Sequence, residues 1–96
     1  MIERHVRFQV PAVKEADFIR FVEHVYFPAL REQRGFMHGS LLRESEAPGR
    51  HVMVLKFAEA DHAAAWKSSA RHKLLSPELK SLHEGSEVTV FEVVLG

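Results

Sequence analysis

The sequence predicts an α+β domain of the ferredoxin-like kind, β-α-β-β-α-β, with a four-stranded antiparallel sheet and its helices on one face. Three observations predict it. Apolar residues recur at a period of two in four segments and at helical spacing in the stretches between them. A Pro-Gly pair, Pro48-Gly49, falls at hairpin spacing between the two middle strand segments. Finally, 46% of the 96 residues are hydrophobic, more than helices on one side of a sheet can cover, so a second copy of the chain is expected on the other side.

Residues 2–10 alternate, with Val6, Phe8 and Val10 on one side and His5, Arg7 and Gln9 on the other, and Pro11 ends the strand. From residue 13 onward Phe18, Phe21, Val22, Val25 and Leu30 recur at three- and four-residue steps, the stripe of an amphipathic helix. Pro28 interrupts that stripe and predicts a kink near Tyr26-Phe27, because a proline removes one helical hydrogen bond. Arg31 and Arg34 followed by Gly35 mark the helix exit.

Segments 36–45 and 51–57 read as a hairpin around residues 46–50. Its second strand carries Val52, Met53, Val54, Leu55 and Phe57, apolar on both faces, as a central strand covered on two sides requires. An Ala-rich helix is expected over 59–75, with Ala63, Trp66, Ala70 and Leu74 at helical spacing. Ser76-Pro77 then predicts a new N-cap and a short helix closing at Gly85. The β-branched run 87–95 is the last strand, and Val52, Val54, Val88 and Val90 are the expected apolar residues of the helix-free face. Residues 1–96 form a single domain on this reading.

Thirteen basic residues balance thirteen acidic ones, so the basic excess that a nucleic-acid or anionic-membrane partner requires is missing. There is no cysteine, which removes disulfides, thiolate metal sites and a cysteine nucleophile, and fits a reducing compartment. With no leader-like apolar segment at residues 1–5, a cytoplasmic location is expected. None of the seven histidines lies in a His-x-x-x-His pair, and no metal site is expected.

The pieces His5-Val-Arg-Phe-Gln-Val10, Arg34-Gly35-Phe36, Ser40-Leu-Leu-Arg43, Val52-Met-Val-Leu-Lys-Phe57, Ala65-Trp-Lys-Ser-Ser-Ala-Arg-His72 and Glu87-Val-Thr-Val-Phe-Glu-Val93, in this order and spacing, resemble the antibiotic biosynthesis monooxygenase-like group of dimeric α+β barrels over nearly the full length. That resemblance implies a homodimer joined through its sheet faces. It also implies one of several functions: a cofactor-independent oxygenase acting on an aromatic or quinone-type molecule held between helices and sheet, a non-catalytic small-molecule binder, or a haem-binding protein. Trp66 stands in a Trp-x-x-Ser context similar to the haem-degrading branch. The chain has no asparagine, however, and Ser76 occupies the position where that branch's histidine would fall, which counts against haem degradation.

Toward the oxygenase reading, the candidate catalytic residues are Trp66, His72 and Tyr26, and the candidate substrate contacts are Arg7, His38 and Phe57. No cofactor is expected. Each candidate has a plainer role open to it. Trp66 is either a pocket wall or a core anchor; Tyr26 either orients a substrate oxygen or is half-buried with its hydroxyl satisfied. His72 is either a general base or a solvated capping residue, since six residues along a continuous helix turn it away from Trp66. Arg7 and His38 either bind an anion or make hydrogen bonds at a dimer interface.

Overall fold

The computed structural model describes residues 1–96. Along the chain run β1 (Ile2–Gln9), α1 (Glu15–Phe21), α2 (Phe27–Arg31), β2 (Phe36–Arg43), β3 (Arg50–Phe57), α3 (Ala60–Ser68), α4 (Ala70–Ser81) and β4 (Gly85–Glu92). The strands make one antiparallel sheet in the order β2-β3-β1-β4, which puts β1 and β3 in the centre and gives the ferredoxin-like topology. A core of 17 buried residues joins Ile2, Phe8, Met53, Leu55 and Phe57 of the two central strands to Phe18, Phe21, Leu30, Trp66, Leu75 and Leu79 of the helices.

Register divides the sheet residues cleanly, because residues directly opposite one another in an antiparallel pair share a face. Val6 lies opposite Met53 on one side and Val88 on the other, all toward the helices. Arg7 lies opposite Val52 and Glu87, and His5 opposite Val54 and Thr89, on the open face. Val52 and Val54 therefore sit on the helix-free face as expected, but Val88 and Val90 do not: they pair with Val6 and Arg4 and face the helices. Phe91 takes their place on the open face, its ring 4.7 Å from that of His5.

The first helical run stays continuous through Pro28. A single wide turn, Val22–Tyr26, in which Phe27 N–H donates to Val22 O five residues back, adjoins the proline. The extra residue in this turn shifts the helical phase, so the adjacent Tyr26 and Phe27 both turn inward. Gly35 leaves the helix at φ +82°, and a Cβ there would collide with the His62 ring. At the base of α1, Glu15 accepts hydrogen bonds from Arg43 at 3.0 and 3.3 Å and lies 3.0 Å from the buried His51 ring. The Arg43 guanidinium, aided by His51, holds the Glu15 carboxyl below its ordinary value.

The second half departs most from the sequence expectation. The helix breaks at Ser69, not at Ser76-Pro77: Ser69 is extended (ψ 152°), and its hydroxyl oxygen accepts the His72 N–H at 3.1 Å as the N-cap of α4. Pro77 lies inside α4, and the neighbouring Ser76 donates its hydroxyl to His72 O at 2.9 Å. Gly85 opens β4, opposite Gln9, and does not close a helix. No helix is long and apolar enough to cross a membrane.

Candidate functional site

Between the helices and the β1–β4 half of the sheet lies a cavity of about 200 Å³. Val6 and Phe8 of β1, Met53 and Leu55 of β3 and Val88 of β4 form its apolar floor, while His72, Ser76 and Leu79 of α4 cover it. Tyr26 reaches it from the wide turn, and Arg4, Lys67 and Lys80 line it with positive charge. No aspartate or glutamate is among the lining residues. A roomier groove of about 480 Å³ at the end of the sheet, lined by Arg7, Gln9, Glu44, Arg50 and Glu87, mixes charges of both signs and has two apolar residues. It lacks the combination of apolar floor and convergent titratable groups that marks a small-molecule site.

The three candidate catalytic residues come together beside this cavity, Tyr26 and His72 in its lining and Trp66 packed behind both, and the break at Ser69 is the reason. On an unbroken helix His72 would face away from Trp66; the new axis of α4 brings the two rings to 5.2 Å, edge to face at 81°. Trp66 also meets Tyr26 edge to face, at 5.6 Å and 84°. Trp66 is almost fully buried, with 1% of its surface exposed, and its Nε1 makes no well-formed hydrogen bond. It is thus both a core anchor and the wedge that fixes Tyr26 and His72 relative to each other.

Burial is the main influence on the titratable groups of this site. It pushes the Tyr26 phenol above its ordinary value, with the Trp66 indole and the Arg4 charge partly offsetting the rise. It lowers His72, and the positive charges of Arg4, Lys67 and Lys80 lower it further. His83, whose ring packs 4.9 Å from Phe8, is also lowered, by burial first and by Lys80, against a backbone hydrogen bond at Gly85 that raises it. At neutral pH the site therefore holds a protonated phenol and two uncharged imidazoles beside three cations, an arrangement able to accept a proton and stabilise the anion left behind.

The expected substrate contacts lie elsewhere. Arg7 and His38 are on the open face, where Arg7 donates to Thr89 Oγ1 at 3.1 Å and His38 lies 3.1 Å from Ser40 Oγ. His51 faces the helices, because β3 register puts Val52 opposite Arg7 and His51 opposite Phe8. Phe57 is wholly buried against Phe36, at 5.5 Å between ring centres. In their stead stand Arg4, Lys67, Lys80 and His83. Arg4 carried a readable signal: it is the one charged residue on the inward register of β1, among Ile2, Val6 and Phe8. Lys67 and His83 carried none, since each looks like an ordinary surface residue until α4 folds over the sheet. No group of three or more His, Asp or Glu side chains is placed to hold a metal ion.

Several solved structures share this architecture. A protein of the antibiotic biosynthesis monooxygenase type from Bordetella bronchiseptica is 25% identical, with a TM-score of 0.87 over 98% of this chain and 97% of that one. A variant of SnoaB, a cofactor-independent oxygenase from Streptomyces nogalater, is 22% identical, with a TM-score of 0.83 over 99% and 94%. A variant of MhuD, solved with two manganese protoporphyrin IX molecules in each active site, is 20% identical, with a TM-score of 0.84 over 100% and 97%. No curated protein matches the chain. The family model for antibiotic biosynthesis monooxygenases matches residues 1–76, which takes in all of β1 to α3 and most of the cavity lining. By fold and by this match, the chain belongs to the antibiotic biosynthesis monooxygenase family.

Proposed function

We propose that the protein is a cofactor-independent oxygenase acting on an aromatic or quinone-type molecule bound between the helices and the sheet. The observation that carries the reading is that Tyr26 and His72, both packed on Trp66, line a cavity bordered by three cations and no carboxylate. His72 accepts a proton from the activated position of a phenolic substrate, while Arg4 and the two lysines stabilise the resulting anion. That anion reduces dioxygen and combines with it, giving a peroxide at the ring carbon. Loss of water leaves a carbonyl, so that a CH2 group and one O2 become C=O and H2O with no outside reductant. Tyr26, protonated, donates a hydrogen bond to a substrate oxygen, and the apolar floor excludes water. Family membership supports the reading, since SnoaB is a cofactor-independent oxygenase.

The test is oxygen consumption by the purified protein with a panel of phenols, anthrones and naphthohydroquinones. Turnover without added metal, flavin or haem is expected; inactivity across the panel would count against the assignment. A purely storing role fits less well, because titratable groups line the cavity where an apolar store needs none. Haem fits poorly: the chain has no asparagine, Ser76 lines the cavity where the haem-degrading branch has histidine, and about 200 Å³ encloses only part of a porphyrin. A hemin titration with no Soret shift is the expected result.

The working unit on this proposal is a homodimer joined across the open sheet face, where Leu42 and Phe91 are 51% and 43% exposed and Val52 and Val54 lie between them. A cysteine-free chain suits the reducing cytoplasm, and we place it there. Recovery from an extracytoplasmic fraction would contradict that placement.

A further inference from the structure

Three positive side chains around one small cavity present an electrostatic surplus. Neither Arg4, Lys67 nor Lys80 takes part in any ion pair or side-chain hydrogen bond of the protein, although the chain as a whole is neutral and seven such pairs form elsewhere. Arg4 is half-buried on the central strand, where an unpaired guanidinium is costly unless something negative meets it. A transient phenolate alone would use this charge during turnover and leave it unmatched before and after. The size of the space is also restrictive. An apolar cavity of about 150 Å³ holds a single benzene ring, so about 200 Å³ seats one or two rings, and a four-ring skeleton would extend beyond it through its open side.

Resting on the reading of this cavity as the substrate site, we infer that the ligand is a hydroxyaromatic acid of one or two rings. Its carboxylate is held by Arg4, with Lys67 and Lys80 at the rim, and its ring lies over Val6 and Phe8 beneath α4. The guanidinium suits this group because its two parallel N–H donors match the two oxygens of a carboxylate. The hydroxyl then falls toward His72 and Tyr26, so the permanent charge sets the orientation in which the proton is removed.

The experiment compares 6-hydroxy-2-naphthoate with 2-naphthol, which differ by the carboxylate alone, in calorimetric titrations of the full chain under nitrogen. The acid is expected to bind about tenfold or more tightly than the naphthol, the size of effect a charge-assisted pair supplies. Its advantage should shrink as salt is raised. Arg4→Gln is expected to abolish the preference by weakening the acid far more than the naphthol. Should that variant misfold, the double variant Lys67→Met, Lys80→Met, altering two exposed side chains, is expected to reduce the preference several-fold. The larger 1-pyrenecarboxylate is expected to bind more weakly than the naphthoate.

Equal affinity for acid and naphthol, or undiminished acid binding in both variants, would overturn the inference. So would pyrenecarboxylate binding as tightly as the naphthoate. Acid-selective binding without oxygen uptake would support the ligand class while removing the oxygenase reading. Oxygen uptake with naphthols and no selectivity for acids would do the reverse.

Discussion

His72 is set up for its proposed role by burial and by the cations beside it, both of which favour the uncharged ring. Its value is below the ordinary 6.5, so on the proposed mechanism the rate rises with pH through a midpoint under 6.5. His72→Gln is expected to lower kcat/KM by roughly 10²–10⁴-fold and to flatten that acid limb, since a positioned base contributes on that order. A pH profile of oxygen uptake checks it, and an unchanged limb in the variant assigns the titration to another group. The same shift affects stability. The unfolded imidazole binds a proton more readily than the folded one, so the stability tied to neutral His72 is full above 6.5 and is lost as pH falls through the lowered value. Glu15, also lowered, acts in the same direction at more acid pH.

At the scale of elements, the break between α3 and α4 is the feature that makes the site. Ser69 ends one helix and caps the next: its hydroxyl donates to Trp66 O at 2.7 Å, and its oxygen accepts from His72 N. Ser69→Ala is expected to cost about 1 kcal/mol, the ordinary worth of an N-cap. It should lower activity more than that loss of stability explains, because the start of α4 positions His72. Chemical denaturation alongside oxygen uptake separates the two effects, and full activity in the variant would show that the cap does not set the geometry. The wide turn before Pro28 acts similarly on Tyr26, shifting the phase of the helix so that the phenol enters the core.

For the whole molecule, the open face remains the determining surface. On it Leu42, Val52 and Val54 of β2 and β3 are separated from Phe91 of β4 by His5 and Arg7 of the central strand, with His38 and Lys56 alongside, so the proposed second copy would have to cover the apolar residues without stranding those charges. If the proposed homodimer forms across this face, Val54→Arg is expected to yield monomer by sedimentation. The added cation would sit opposite His5 and near Arg7 and Lys56, and the nearby Glu3 already lies 2.9 Å from His5. A dimer of unchanged affinity would show that the copies meet elsewhere.

The order of elements along the chain, the hairpin, the side of β1 and β3 that faces the core, and the apolar excess were all legible in the sequence, because each follows from a local period, a turn residue or the composition. The residues Trp66 and Tyr26 were legible as candidates for the same reason: aromatic side chains in a small domain are few and bury where helices meet the sheet. What the tertiary structure alone decided was which of them meet. A helix break that moves from Ser76 to Ser69 rotates His72 onto Trp66, and the β1–β4 register turns Val88 inward and Phe91 outward. Packing α4 over β1 then gives the inward-facing Arg4 its place beside the cavity. Local sequence sets the period of each element, but the angle between elements is a sum of many small packing terms, and the site lies where those elements cross.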